Sequence, residues 1–443
     1  MMTKVGSRCC SPVSLAVVVM LVLASYITFS RRMEPAGDAT HARVEIRGNI
    51  TDKADIYREA IHQVHQRVKD KGDDLVGFDD GELKRRATHV KDVCSMVNSP
   101  NISLDHVSYY KHLDLLYCHV PKAATKFWFR ALHILETGQH KSPFEIVHGP
   151  KRLLTEQDYG TNEDMRSIIQ SAFKIVFARD PYQRIFSAYV DKFLSPNAMF
   201  WSFGKKIIKS VRITQPNTTL GCGEDVKFSE LIRYLTGVNP KSYDRHFRPV
   251  SLQCDVCNIQ YDVIGKVETF EHDAKFIFNQ THASERGMII KDFKEENNIK
   301  YIVFKVQKAF GFKKRTLKCI SDHMVHRRVW RALQISGLIN KYDDYPLSPD
   351  ESSKANKTAI MNLMLRAYER SSPEAKLNKR EALLQAYSQV PLVGLEQLRL
   401  KYLNDLMLFG YEERPSYLFD KAETHSRESQ DSFDYFDILK LKV

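Results

Sequence analysis

Twice in this chain an apolar run of strand length passes through a turn of a few residues directly into an amphipathic helix, and that geometry leaves few folds open. The first case is Leu113-Asp-Leu-Leu-Tyr-Cys-His-Val120, the turn Pro121-Lys-Ala-Ala-Thr-Lys126, and then Phe127-Trp-Phe-Arg-Ala-Leu-His-Ile-Leu135. The second is Ala172-Phe-Lys-Ile-Val-Phe-Ala178 followed by Arg179-Asp-Pro-Tyr-Gln-Arg-Ile-Phe-Ser-Ala-Tyr-Val-Asp-Lys-Phe193. Strands that feed helices this closely predict an α/β domain with a central parallel sheet flanked by helices. In the second helix Tyr182, Ile185, Phe186, Tyr189 and Phe193 form one apolar stripe, Pro181 suits the first turn, and Ser187 falls off the stripe.

Each turn also has the makings of an anion site. Small residues at Ala123 and Ala124 let backbone N–H groups approach a phosphate, the following helix N-terminus adds a favourable dipole, and Lys122 and Thr125 can supply a charge and a hydroxyl. This is the logic of a P-loop without its usual motif, because G-x-x-x-x-G-K-[ST] is absent. At the second turn, Arg179 at the strand's end and Ser187 two turns into the helix can face one cleft and hold another phosphate, the guanidinium bidentately. The plainer readings are an ordinary strand-to-helix connection, a local Arg179–Asp180 ion pair and a solvated serine.

The rest of the chain suggests a compartment. Residues 11–30 carry no charge and are flanked by Lys4, Arg8, Arg31 and Arg32, which reads as a membrane signal-anchor, or else a signal peptide; the balanced flanks give no orientation, and the rest of the chain makes residues 1–10 the cytoplasmic tail. Residues 31–105 are charged and apolar-poor and read as a stem, residues 106–412 as the folded domain, and residues 413–443 as a C-terminal tail. Five N-x-[ST] sequons, at Asn49, Asn101, Asn217, Asn279 and Asn356, all follow the apolar run, as expected of a lumenal, glycosylated domain. Six of the eight cysteines lie in that part. An oxidising lumen favours disulfides among them over a zinc site built from Cys254-x-x-Cys257 with His246 and Cys222, so no metal is expected. The formal net charge of +12 favours acidic partners. Its dispersal, and the predicted lumenal placement, argue against nucleic acid. A P-loop kinase reading lacks both the glycine pair and a magnesium-binding partner motif.

Taken together, these segments resemble the 5′-phosphosulfate and 3′-phosphate motifs of sulfotransferases. The second is similar to the R-D-P-x-x-R-x-x-S-A-Y-x-D-K-F signature of the Golgi carbohydrate sulfotransferases of the HNK-1, dermatan and chondroitin 4-O type. The likeness continues through Tyr243-Asp-Arg-His-Phe-Arg-Pro249, Cys254-x-x-Cys257, Tyr261-Asp-Val-Ile-Gly-Lys-Val-Glu-Thr269 and Leu403-Asn-Asp-Leu-Met-Leu-Phe-Gly-Tyr411. The resemblance implies a P-loop-like sulfotransferase domain on a single-pass type II Golgi membrane protein. Its donor would be 3′-phosphoadenosine-5′-phosphosulfate and its acceptor a glycan, N-acetylgalactosamine of chondroitin or dermatan or a related terminal sugar.

By the same resemblance Lys122 and Thr125, with the backbone of Ala123, Ala124 and Lys126, meet the 5′-phosphosulfate, and Arg179 and Ser187 meet the 3′-phosphate. Lys122 would stabilise the leaving group and His246 would take the acceptor proton, with His119 and Glu268 as alternative bases. Arg245 and Arg248 would grip an anionic sugar chain, and Phe200-Trp-Ser-Phe203 either stacks on sugar rings or packs in the core. Two positions depart from the family pattern. Lys126 stands where a second Ser or Thr is common, and Phe127 follows it; these departures motivate the alternative of a glycan-binding protein that has lost turnover.

Overall fold

The computed structural model describes residues 81–96, 104–146, 149–212, 221–420 and 433–439. The expected cytoplasmic tail and membrane segment, most of the stem, and the sequons at Asn49, Asn101 and Asn217 lie outside the described residues. No helix among the described residues is long and apolar enough to cross a membrane.

In chain order the elements that frame the site are α1 (Gly81–Cys94), β1 (Val107–Tyr110), β2 (Leu115–Cys118), α2 (Thr125–Thr137), β3 (Phe173–Ala178), α3 (Pro181–Tyr189), α4 (Ala198–Val211), β4 (Val263–Lys266), α5 (Phe293–Gly311), α6 (Asp322–Ile335) and α7 (Asn378–Ser388). The sheet has the order β1-β2-β3-β4. β2, β3 and β4 run parallel, in the registers Cys118↔Val176 and Val176↔Ile264, as the strand-turn-helix pattern requires. β1 is an exception to the expected parallel sheet. A short turn, with Asp114 at φ 44°, returns the chain to pair β1 with β2 antiparallel, because so short a connection cannot make a crossover.

Helices cover the strands, which explains why they read as continuous apolar runs rather than alternating ones. Ile175, Val176, Phe177 and Ala178 are fully buried, and Trp128 of α2 stacks its ring 4.9 Å from Phe177. Phe177 pairs with Gly265 across β3 and β4, and a Cβ on that glycine would lie 2.4 Å from the Phe177 ring. Only hydrogen fits there.

The folded domain takes in residues from both stretches that the sequence set outside it. α1, in the expected stem, buries Leu83, Val90 and Val93, and Arg86 reaches across to Asp273 at 2.7 Å. Cys94 then bonds Cys257. In the expected tail, Leu418, Phe419, Tyr435 and Ile438 join the main core, and Asp437 pairs with Arg331 of α6 at 2.6 Å. The apolar positions of α1 and of the tail are too few to show a period, yet each meets a face already built by others. Disulfides also join Cys118 to Cys254 and Cys222 to Cys319, so the C-x-x-C cysteines have different partners and neither is free to hold zinc.

Gly265→Ala is expected to destabilise the domain by about 1–3 kcal/mol through overpacking against Phe177. An unchanged denaturation midpoint would contradict this close approach.

Candidate functional site

Parallel strands place their following turns at one edge of the sheet, where ligands of open α/β sheets bind. The turns after β2 and β3 meet there, and Arg179 Nη1 donates to the Lys122 carbonyl at 3.2 Å. The two segments predicted to hold phosphates are therefore neighbours. The first turn is wound tightly, with Lys122 at φ 72° and Ala124 at φ 56°, both in the left-handed region that non-glycine residues rarely enter. Between them the Ala123 N–H donates to the Val120 carbonyl at 3.1 Å. α2 then opens at Thr125, whose hydroxyl donates back to the Val120 carbonyl. Its first N–H groups have no acceptor within the helix.

The second turn is held from below. Asp180 caps α3 by accepting from Gln183 N at 2.8 Å, while its own N–H donates to Glu268 at 3.0 Å. Glu268 accepts in addition from Tyr411 Oη at 2.9 Å. Burial pushes the Asp180 carboxyl up to about 6. Arg179 itself is buried, its basicity lowered by that burial, and its Nε has no hydrogen-bond partner. An unsatisfied buried guanidinium nitrogen is costly, so this group fits an anion. On α3 the stripe is buried as predicted, and the half-buried Ser187 lies on the side left open, one turn after Gln183.

Beyond α3 the helix loosens into a π-turn, Val190–Leu194, a form that recurs at functional sites. It projects Asp191 into a cluster of lysines. Lys122 Nζ lies 3.5 Å and Lys192 Nζ 3.3 Å from Asp191 Oδ2. Lys305 and Lys308 of α5 lie 3.1 and 3.4 Å from Oδ1. Burial by itself would push the Asp191 carboxyl up, but the lysines outweigh it and hold it well below the usual carboxylate range. Burial pushes Lys122 down to about 7 and Lys308 to about 8, against the opposing pull of Asp191. One carboxylate thus faces four lysines, two of them with lowered basicity, and an added anion would favour their charged forms. The sequence signature contained Asp191 and Lys192 without suggesting their role, and nothing local marked Lys305 or Lys308.

Lys126 points its ammonium at the face of Phe304, 2.9 Å from the ring centroid, on the same helix that carries Lys305 and Lys308. Phe127 is buried among Phe144, Phe270 and Phe293. Neither departure dismantles the anion site, and the reading of a protein that has lost turnover gains no support from them.

His246 lies near Lys192. Its Nδ1 is 2.6 Å from Asp244 Oδ1, and Phe200 meets its ring edge-on at 5.5 Å. Asp244 fixes the ring and leaves Nε2 as the open nitrogen. Lys192 Nζ lies 5.3 Å from the Phe200 ring centroid. Burial lowers the His246 pKa to about 4 despite the opposing bond from Asp244. The alternative bases have other roles. His119 is buried with Nε2 2.5 Å from Ser108 Oγ, and Glu268 supports the second turn.

Arg245 is exposed beside His246, whereas Arg248 is half-buried and donates to the Tyr243 carbonyl at 3.2 Å. Trp201 is core; Phe200 and Phe203 are half-buried against it, so that run packs rather than standing free. Asn279 and Asn356 are exposed.

Two tight strand-to-helix turns at the carboxyl ends of adjacent parallel strands, on a central sheet flanked by helices, define an α/β domain. The chain belongs to the Sulfotransferase family, whose sequence profile matches residues 105–327. Among curated proteins it is 34% identical over 191 residues to carbohydrate sulfotransferase 11 of Rattus norvegicus, covering 41% of this chain and 54% of that one. It is 36% identical over 193 residues to carbohydrate sulfotransferase 9 of Homo sapiens, covering 42% and 43%. Carbohydrate sulfotransferase 14 of Danio rerio is 29% identical over 215 residues, covering 46% and 58%. The chain spans about half the length of the curated relatives it matches. No solved structure matches it.

With its pKa near 4, His246 is expected to stay neutral from pH 8 down to pH 5. Ring proton shifts followed by NMR should be flat across that range, and a titration centred near 6.5 would refute the burial argument.

Proposed function

We propose that this protein is a carbohydrate O-sulfotransferase that takes a sulfuryl group from 3′-phosphoadenosine-5′-phosphosulfate and places it on a glycan hydroxyl. The observation that carries this reading is the lysine cluster around Asp191, set against the turn that holds Lys122 and beside the unpaired Nε of Arg179. Two separate cationic cradles suit a donor with a phosphosulfate at one end and a phosphate at the other. Bound there, the donor supplies an activated sulfur with a phosphate leaving group.

The chain's own residues supply positioning and charge, which dominate in transfers of this kind. Lys122 meets the bridging oxygen as negative charge grows on it, Arg179 and Ser187 hold the 3′-phosphate, and His246 Nε2 accepts the acceptor's proton. Asp244 keeps that imidazole in the tautomer able to do so. Arg245 and Arg248 suit an anionic acceptor. So does the exposed arc of α4, which carries Lys205, Lys206 and Lys209, no acid, and begins beside His246 at Phe200. Among acceptors, the family resemblance favours N-acetylgalactosamine of chondroitin, dermatan or a related terminal sugar.

The test is transfer of radiolabelled sulfate from the donor to a panel of desulfated glycosaminoglycans, followed by disaccharide analysis. Labelling of at least one acceptor is expected, and Arg179→Ala should weaken donor binding roughly ten- to a hundredfold by removing a charge-assisted pair. Folded protein that labels none of the panel, or an Arg179→Ala variant of unchanged affinity, would contradict the reading.

We further propose that residues 11–30 anchor the protein in the Golgi membrane as a type II protein with the domain lumenal. Three disulfides and two exposed sequons support that compartment. In intact microsomes the domain should resist added protease; digestion without detergent would place it in the cytosol.

A further inference from the structure

One side of Asp191 faces the phosphate-binding turn through Lys122. The other is taken by α5, which lies outside both phosphate segments. Its two lysines are held differently. Lys305 is buried and fully engaged, 3.1 Å from Asp191 Oδ1 and 2.9 Å from Ser195 Oγ. Lys308 makes only long contacts, 3.4 Å to Asp191 Oδ1 and 3.4 Å to the Asp191 carbonyl. Charge-assisted bonds settle at about 2.7–2.9 Å when satisfied. A carboxylate shared by four lysines cannot satisfy them all, and the two held at the longest distances, Lys308 at 3.4 Å and Lys122 at 3.5 Å, can each take another anion.

Geometry also says which anion. Lys122 and Lys308 contact the two oxygens of one carboxylate, so both belong to a single cluster beside the turn. α5 already touches the phosphate-binding turn one helical turn earlier, where Phe304 receives Lys126. Residues four apart share a helix face, so Phe304 and Lys308 present one surface to that turn.

We propose that Lys308 is a direct ligand of the donor nucleotide's 5′-phosphosulfate, and that Asp191 holds its ammonium in place until that anion arrives. The assignment rests on the donor reading above. It makes α5 the third wall of the donor site, after the turns that follow β2 and β3.

The experiment uses the full chain and 3′-phosphoadenosine-5′-phosphate, the product nucleotide, as the probe. Lys308→Gln should weaken its binding roughly ten- to a hundredfold, and Lys308→Arg should restore most of the loss by returning the charge. Wild-type protein supplies a measurement that no folding defect can confuse. Acetylation of Lys308, read by mass spectrometry, should fall on addition of saturating nucleotide, while that of exposed Lys205 should not change. Lys308→Gln binding as wild type does, or unchanged Lys308 acetylation at saturation, overturns the assignment and leaves the donor reading standing. Wild-type protein that does not bind the nucleotide overturns both.

Discussion

A cluster of lysines around a single carboxylate is an unfavourable thing to bury, and this end of the domain is arranged around that fact. Lys122, Lys192, Lys305 and Lys308 all lie within 3.5 Å of Asp191. Removing like charges from water raises their mutual repulsion as well as their desolvation cost. Asp191 makes the arrangement tolerable but does not neutralise it. Three separate elements bring the lysines there: the turn after β2, the π-turn after α3, and α5. Their packing is therefore coupled through one aspartate.

The backbone bears a second cost at the same place. Lys122 and Ala124 both sit in the left-handed region, at roughly 1–3 kcal/mol each for residues with a Cβ. The compensation is geometric. The kinked turn leads directly into α2, and its Lys122 carbonyl accepts from Arg179 and ties the two turns together. Strain, stranded charge and an unpaired Arg179 Nε thus occur within a few residues of one another, and a polyanion relieves the latter two.

What the sequence made legible follows the range of the interactions. Strand, turn and helix at residues 113–135 and 172–193 are set by contiguous residues, and the Tyr182–Phe193 stripe is buried as the period requires. The antiparallel β1 escaped because its pairing depends on a turn at Asp114 rather than on any pattern of its own. Lys305 and Lys308 escaped for a different reason: 114 and 117 residues separate them from Asp191, and a lysine in an amphipathic helix ordinarily looks solvated. α1 and the segment around Tyr435 were read as stem and tail because each brings only a few apolar side chains to a core made elsewhere. His119 shows the opposite failure, a residue beside the turn whose ring faces Ser108 instead.

Segments of the resemblance outside the two turns are tied to one another and to the second turn. Arg184, buried in α3, donates to the carbonyls of His246 and Arg248 at 3.5 and 2.5 Å, so the helix that begins beside Arg179 also fixes the Tyr243–Pro249 stretch. Tyr402 donates to the Phe247 carbonyl. Asp405 accepts from Val250 N at 2.6 Å and Ser251 N at 2.8 Å, closing the same stretch from behind. Tyr411 reaches Glu268, and through it the Asp180 N–H. The Leu403–Tyr411 run therefore supports both halves of the site at once. That arrangement suits a transfer reaction, in which the distance between donor sulfur and acceptor oxygen matters more than the strength of any one contact.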